Sequence, residues 1–234
     1  MSSISDNLQD VKERIATAAR EAGRDPHEVR LLAVSKTFGA DAVLDAAREG
    51  QRAFGENYLQ EALDKIDAVR AARSDLLLEW HFIGPIQSNK TRPIAEHFDW
   101  VHSVEREKVA QRLSEQRPLQ LPPLNICLQV NISGEASKSG IAPEEVLALA
   151  QKVASMPRLK LRGLMAIPEP EGDMDRQRLP FRRMRLLMDE LRAHGLDLDT
   201  LSMGMSADMA AAIAEGATIV RVGTAIFGQR HYAT

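Results

Sequence analysis

The 234-residue sequence holds a single cysteine, Cys127. One thiol cannot close an intramolecular disulfide or build a cysteine-rich metal site, and such usage suits a reducing cytosol. Long apolar runs are also missing, since no window approaches the roughly 18 apolar residues of a membrane span. The amino terminus, MSSISDNLQDVKERIATAAREAG, carries acidic residues where a secretory leader is basic, and it has no apolar segment. These absences predict a soluble, cytoplasmic protein. Basic excess is lacking too. A formal net charge of −3 argues against a nucleic-acid or anionic-membrane binder. His81, His97 and His102 show no ligand spacing with neighbouring carboxylates. Metal hydrolysis is therefore not expected, and each is explained as a local hydrogen-bonding residue. No Gly/Ser linker, acidic tail or low-complexity run divides the chain. A single domain over residues 1–234 is expected.

What is present is a repeated alternation. Leu8, Val11, Ile15, Ala18 and Ala22 recur at helical spacing, predicting an amphipathic helix within 1–24, capped by Ser5 or Asp6 and packed on the rest. Short β-rich runs follow at VRLLAVS, RAFGE, EWHFIG, WVHSV, NICLQVNIS, LKLRGLMAI, DTLSMG and TIVRVG. Between them lie segments of helical period: ADAVLDAAREG, NYLQEALDKIDAVRAA, SNKTRPIAEHF, REKVAQRLSEQ, APEEVLALAQKVASM, FRRMRLLMDELRAHG and SADMAAAIAEGA. Strands alternating with helices imply right-handed βαβ units and a parallel sheet. Eight units in a chain of this length predict a closed α/β (β/α)8 TIM barrel with an extra N-terminal helix. A doubly wound sheet is the alternative, but no GxGxxG fingerprint follows the first strand. PEPEGD, residues 168–173, reads as a mobile loop. The arginines from Arg176 to Arg192 read as the solvated face of a helix whose other face carries Met184, Leu187, Met188 and Leu191.

In a barrel of this kind chemistry gathers where the strands end and the following loops begin. Those positions hold Lys36, then Gly55, Glu56 and Asn57, then HFIGPIQSNK, then His102 and Ser103, NISGEASKSG, Met165, MGMS, and last Gly223 and Thr224. Barrels often hold a phosphate between the loops after strands seven and eight, on backbone N–H groups at a short helix start. Gly204 permits close backbone approach, Ser206 reads as a helix N-cap, and Gly223 and Thr224 open a final helical turn. Ordinary capping explains each alone; the pair of loops together suggests a phosphate cup. In TIVRVGT, alternation puts Ile219, Arg221 and Gly223 on one face and Val220 and Val222 on the other. With the valines toward the helices, Arg221 projects into the mouth and meets either an anion or an internal carboxylate such as Glu56. Lys36 ends the apolar run LLAVSK, so it either snorkels to solvent or supplies an amine. An amine across from a phosphate cup matches a Schiff-base partner for a phosphorylated aldehyde, of which pyridoxal 5′-phosphate (PLP) is the biological example.

AVSKT, FGENYLQEALDKI, EWHFIGPIQSNK, VNISGEASKSGI, RGLMAIP, LSMGMSADM and VRVGTAIFG span nearly the whole chain. In order and spacing they resemble the motifs of the pyridoxal phosphate homeostasis proteins, members of the alanine-racemase-like barrel class. The resemblance implies the barrel domain alone of PLP fold type III, with PLP held as a Schiff base on Lys36. It places Asn57 near the cofactor ring, Ser206, Gly223 and Thr224 at the phosphate, and Arg221 opposite the pyridine nitrogen. It departs at Phe38 and Gly39, where many relatives have a Lys-Pro pair, and this alters the first loop beside Lys36.

Two functions of different class follow. A cation beside the pyridine nitrogen disfavours its protonation and weakens the ring as an electron sink. Two-base racemisation also needs a second acid/base group on the opposite face of the substrate. In the racemases that this class resembles, it is a tyrosine from an additional β-domain of a partner subunit. Here eight units use up the chain, only Tyr58 and Tyr232 exist, and Cys127 lies at mid-strand. The expectation is a monomeric, non-catalytic PLP carrier that buffers the cofactor or delivers it to apo PLP-dependent enzymes. Lys138, in SGEASKSG, is the candidate amine for speeding release, against the plainer reading of a solvent-exposed loop lysine. A PLP-dependent amino-acid racemase is the alternative. A Schiff-base aldolase would instead trap a substrate carbonyl and carry no bound chromophore.

Overall fold

A computed structural model describes residues 3–135 and 139–229. Eight strands close into one barrel in sequence order: β1 (Arg30–Val34), β2 (Ala53–Glu56), β3 (Glu79–Phe82), β4 (Trp100–Val104), β5 (Leu124–Gln129), β6 (Leu159–Met165), β7 (Thr200–Ser202) and β8 (Ile219–Val222). Every neighbouring pair is parallel, and β8 returns to β1 with Ala33 opposite Val222. The intervening helices are α2 (Ala40–Arg48), α3 (Leu59–Ala72), α4 (Thr91–His97), α5 (Glu107–Gln116), α6 (Val146–Ala154), α7 (Met174–Ala193) and α8 (Met209–Ala214), with α9 (Thr224–Phe227) after β8. The eightfold alternation read from the sequence is therefore a closed (β/α)8 barrel.

Two apolar clusters mark the two faces of the sheet. Alternate residues such as Ala33, Phe54, Trp80, Val101, Leu164, Val220 and Val222 pack outward with the helices. Leu32, Ala53, Trp100, Cys127, Met165 and Ile219 form a separate buried group, which fills the barrel interior with Ile83 against it. Period-two alternation along each strand produces this division.

The extra helix α1 (Ile4–Glu21) buries Leu8, Val11, Ile15, Ala18 and Ala19 and lies against α8, α9 and α2. Burial of the three larger side chains stabilises its docking by about 1.5–3 kcal/mol each. Its N-cap is Ser3 rather than Ser5 or Asp6: the Ser3 hydroxyl accepts the Asp6 N–H, and the Asp6 carboxylate accepts the Ser3 N–H. Asp6 thus completes a capping box whose first member lies upstream. Helix α7 begins at Met174, ahead of the FRRM stretch, because Asp173 caps it by accepting the Arg176 N–H, and it runs through Pro180. Its apolar face buries Phe181, Met184, Met188 and Leu191. The arginine face is only partly solvated. Arg178, Arg182 and Arg185 converge on the buried Glu215 at 2.8, 3.3 and 3.2 Å.

Candidate functional site

Lys36 lies in the turn after β1, separated from the last strand residue by Ser35, and is half-buried. Within β1 Leu32 belongs to the interior group, and Lys36 keeps the parity of Leu32 two residues beyond the last strand position. The flanking peptides are tied down. Thr37 has φ +68°, and its N–H donates to Glu61 Oε1 at 2.6 Å. The Ser35 hydroxyl donates to Glu56 Oε1 at 2.5 Å, while its carbonyl accepts from Lys65 Nζ at 2.8 Å.

Glu56 does not face the barrel mouth. Gly55 points inward against Leu32 and Ile83, so Glu56 points outward beneath α3. There its carboxylate meets Lys65 at 2.6 Å, and Lys65 also meets Glu61 at 3.0 Å. The Lys65 and Glu56 side chains are 3% and 0% exposed. Burial pushes the Glu56 carboxyl above its ordinary range, against the pull of Lys65. The expected alternative of an Arg221–Glu56 pair is thereby corrected: the two residues lie on opposite faces of the sheet.

One step further, alternation turns Asn57 inward. Its Oδ1 is buried and has no hydrogen-bond partner among the described residues. The Asn57 carbonyl presses on Gly84, where an added Cβ would stand 2.1 Å from the oxygen. Only glycine lets strands two and three end so close together.

Across β1 lies the end of β8. Gly223 abuts Val34, and a Cβ there would approach the Val34 carbonyl to 3.0 Å. Gly223 is the N-cap of α9, with the exposed Thr224 as its first residue, as expected. Phe38, in the loop after Lys36, packs on Phe227 of α9 with ring centroids 5.3 Å apart and the rings tilted by 32°. The departure at Phe38 therefore joins the lysine loop to the last helical turn. Gly204 has φ +94°, and its Cβ would collide with Ala212 Cβ at 2.6 Å. Ser206 lies in the turn ahead of α8 but is not its cap. Asp208, two residues downstream, holds the N-cap position without a side-chain capping bond; its carboxylate accepts the upstream Met205 N–H instead. The Ser206 carbonyl accepts from Arg14 of α1 at 3.1 Å, and Asn7 of α1 donates to the Ile226 carbonyl at 2.9 Å.

Arg221 points into the barrel, as alternation predicts, and is buried. Its Nη1 donates to the Ser202 carbonyl at 2.7 Å and to the Ser202 hydroxyl at 2.8 Å; its Nη2 donates to the Ala166 carbonyl at 2.9 Å. Burial brings its pKa down to about 10, so it remains cationic at neutral pH. Below it a polar chain crosses the interior: Ser202 Oγ to His102 Nδ1 at 2.7 Å, His102 Nε2 to His81 Nδ1 at 2.8 Å, and His81 Nε2 to Glu79 Oε1 at 2.7 Å. Arg30 donates to the same Glu79 oxygen at 2.7 Å. Arginine can only donate and a carboxylate can only accept, so with both imidazoles neutral every bond runs one way, from Arg221 toward Glu79. Burial keeps both imidazoles neutral, depressing His81 and His102 below the usual histidine value. His102 and Ser103 thus belong to β4 itself rather than to the loop after it.

Cys127 is buried at mid-strand, and burial pushes its thiol up to about 12, which removes it as a nucleophile near neutral pH. Tyr58 precedes α3 and is 50% exposed. Lys138 and Tyr232 lie outside the described residues. Among the described residues no His, Cys, Asp or Glu cluster could hold a metal ion, and no helix is long and apolar enough to cross a membrane.

The family model described as alanine racemase, N-terminal domain, matches residues 7–231. The chain is 64% identical to the pyridoxal phosphate homeostasis protein of Pseudomonas aeruginosa, over 99% of its own length and 98% of that protein. It is 54% identical to the Escherichia coli K12 protein of the same name, over 100% of its length and 99% of the relative. Among solved structures it is similar to PipY of Synechococcus elongatus with PLP bound, with a TM-score of 0.82, 37% identity, and coverage of 97% of this chain and 100% of that one. The chain belongs to the pyridoxal phosphate homeostasis protein family, within the alanine racemase N-terminal domain family.

Proposed function

We propose that this protein binds PLP in the barrel mouth and serves intracellular PLP homeostasis as a monomeric cytoplasmic carrier that passes the cofactor to apo-enzymes. The observation that carries this reading is the β1–β8 junction. Because β8 pairs with β1, the Lys36 loop and the Gly223 turn share one edge of the mouth, with Phe38 packed on Phe227 between them. PLP supplies an aldehyde and a phosphate ester. Lys36 is the amine for the aldehyde; Gly223, Thr224 and Ser206 are the donors for the phosphate.

The residues present fit such a group. Asn57 Oδ1 is a buried acceptor without a partner, which a ligand donor would satisfy. Gly223 leaves open the space that a Cβ would fill against Val34. Arg221 spends three of its five N–H groups on Ser202 and Ala166, so its plane is locked before any ligand arrives. With PLP bound and its ring nitrogen toward Arg221, this fixed cation would disfavour protonation of that nitrogen, and the ring would withdraw electrons weakly. That property suits storage better than racemisation. Tyr58 is turned to solvent and Cys127 holds its proton, so neither supplies the opposing acid/base group a racemase requires.

The test is direct. Purified protein loaded with PLP should absorb in the visible range, and borohydride reduction followed by peptide mapping should find the pyridoxyl group on Lys36. A colourless preparation would overturn the reading. Chiral analysis of alanine incubated with loaded protein separates the alternatives, because rapid interconversion would make it a racemase. Lys138→Ala should leave loading intact and slow transfer to an apo-enzyme; unchanged transfer would remove Lys138 from the release step.

A further inference from the structure

We propose that Glu61 is a positioning residue for the Lys36 amine, a role that rests on the cofactor reading above. Thr37 is the one non-glycine residue with positive φ among the described residues, at +68°. A β-branched side chain disfavours that backbone region, and such strain persists only where the surroundings enforce it. Two contacts hold it: the turn's own hydrogen bond, from the Phe38 N–H to the Ser35 carbonyl at 3.0 Å, and the 2.6 Å bond from the Thr37 N–H to Glu61 Oε1, the only one of the two made by a side chain. On the other side of Lys36, Ser35 is held through its hydroxyl by Glu56 and through its carbonyl by Lys65. Lys65 joins the two anchors, at 2.6 Å from Glu56 and 3.0 Å from Glu61. Both peptides around Lys36 are therefore moored to one ionic cluster on α3 and β2, and Glu61 is the member that fixes the turn at Thr37 from outside its own backbone bond.

The geometry matters because capture of an aldehyde depends on approach. The neutral Lys36 nitrogen forms a bond to the aldehyde carbon, and the carbonyl oxygen leaves as water with both amine hydrogens. Relaxing Thr37 to negative φ would swing the preceding residue off its strand direction, and misplacement of a reacting group slows a reaction steeply.

Timed borohydride trapping with pyridoxal, which lacks the phosphate, tests this, with the adduct on the Lys36 peptide quantified by mass spectrometry. Glu61→Ala should capture about tenfold more slowly. Glu61→Gln should stay close to wild type, since its amide oxygen can still accept the Thr37 N–H. Inorganic phosphate should compete with PLP loading equally in all three proteins, because the loops after β7 and β8 are untouched. A wild-type capture rate in Glu61→Ala would overturn the proposal. So would equal slowing in Glu61→Gln, which would assign the effect to the Lys65 ion pair instead. Altered phosphate competition in Glu61→Ala would also overturn it, as the sign of a general disturbance of the mouth. Absence of any Lys36 adduct in wild type would overturn the cofactor reading, and this role with it.

Discussion

The two sides of the barrel mouth are built by opposite means. The amine side, at the ends of β1 and β2, is fixed by charge: Glu56, Lys65 and Glu61 hold the peptides around Lys36 from beneath α3. The proposed anion side, at the ends of β7 and β8, is shaped by absence of side chains: Gly204 and Gly223 let backbone approach its neighbours, and α1 grips the result through Arg14 and Asn7. On the proposed reading the contrast has a reason: an amine that bonds covalently must be aimed, which strong buried bonds suit, and a phosphate must be surrounded by N–H groups, which bare backbone suits. The two sides should accordingly fail in different ways.

The largest effect is expected on the charged side. Lys65→Met leaves the Glu56 carboxylate buried without its cation and should cost about 3–5 kcal/mol in urea unfolding. Combining it with Glu56→Gln should restore much of that loss, and a cost for the single variant no larger than for the double would break the comparison. On the glycine side, Gly204→Ala meets both positive φ and the Ala212 Cβ at 2.6 Å. It should cost about 2–3 kcal/mol, read as a lower Tm.

The polar chain beneath both sides gives a pH signature. Burial depresses His81 and His102 below 6.5 in the fold, so the unfolded chain binds more protons as the pH falls through that value. Their contribution is complete above pH 6.5 and is lost on acidification, at up to about 1.4 kcal/mol per imidazole per pH unit. Urea unfolding at pH 7 and pH 5.5 should show the loss, and His102→Gln should reduce it. The smallest effect belongs to Arg14→Ala. Its exposed guanidinium makes one bond to the Ser206 carbonyl, and removal should cost about 0.5 kcal/mol in the same assay.

Much of the anion side could be read along the chain. Alternation within TIVRVGT was enough to turn Arg221 inward, because strand parity is local, and Gly223 and Thr224 open α9 where expected. Ser206 reads as a cap along the chain because Ser206 and Asp208 are both acceptable there, whereas the backbone geometry gives the N-cap position to Asp208. The amine side was harder. FGENYLQEALDKI contains Glu61 and Lys65 at i, i+4 spacing, a signal for a pair on one helix face, but nothing local says that this face lies over Ser35. The interior chain was out of reach, for His81 and His102 are 21 residues apart, and His102 and Ser202 are 100.

The sequence by itself determined the eight βα units, the order in which they close, and which residues sit where strands end, because periodicity and turn chemistry act over a few residues. Only the tertiary structure decided what those residues touch: Glu56 with Lys65 rather than Arg221, Ser202 rather than a carboxylate beneath Arg221, and α1 across the last two loops. Barrel closure brings distant strands within hydrogen-bond reach, and burial makes each such pairing obligatory, since a polar group left alone there has no water to turn to.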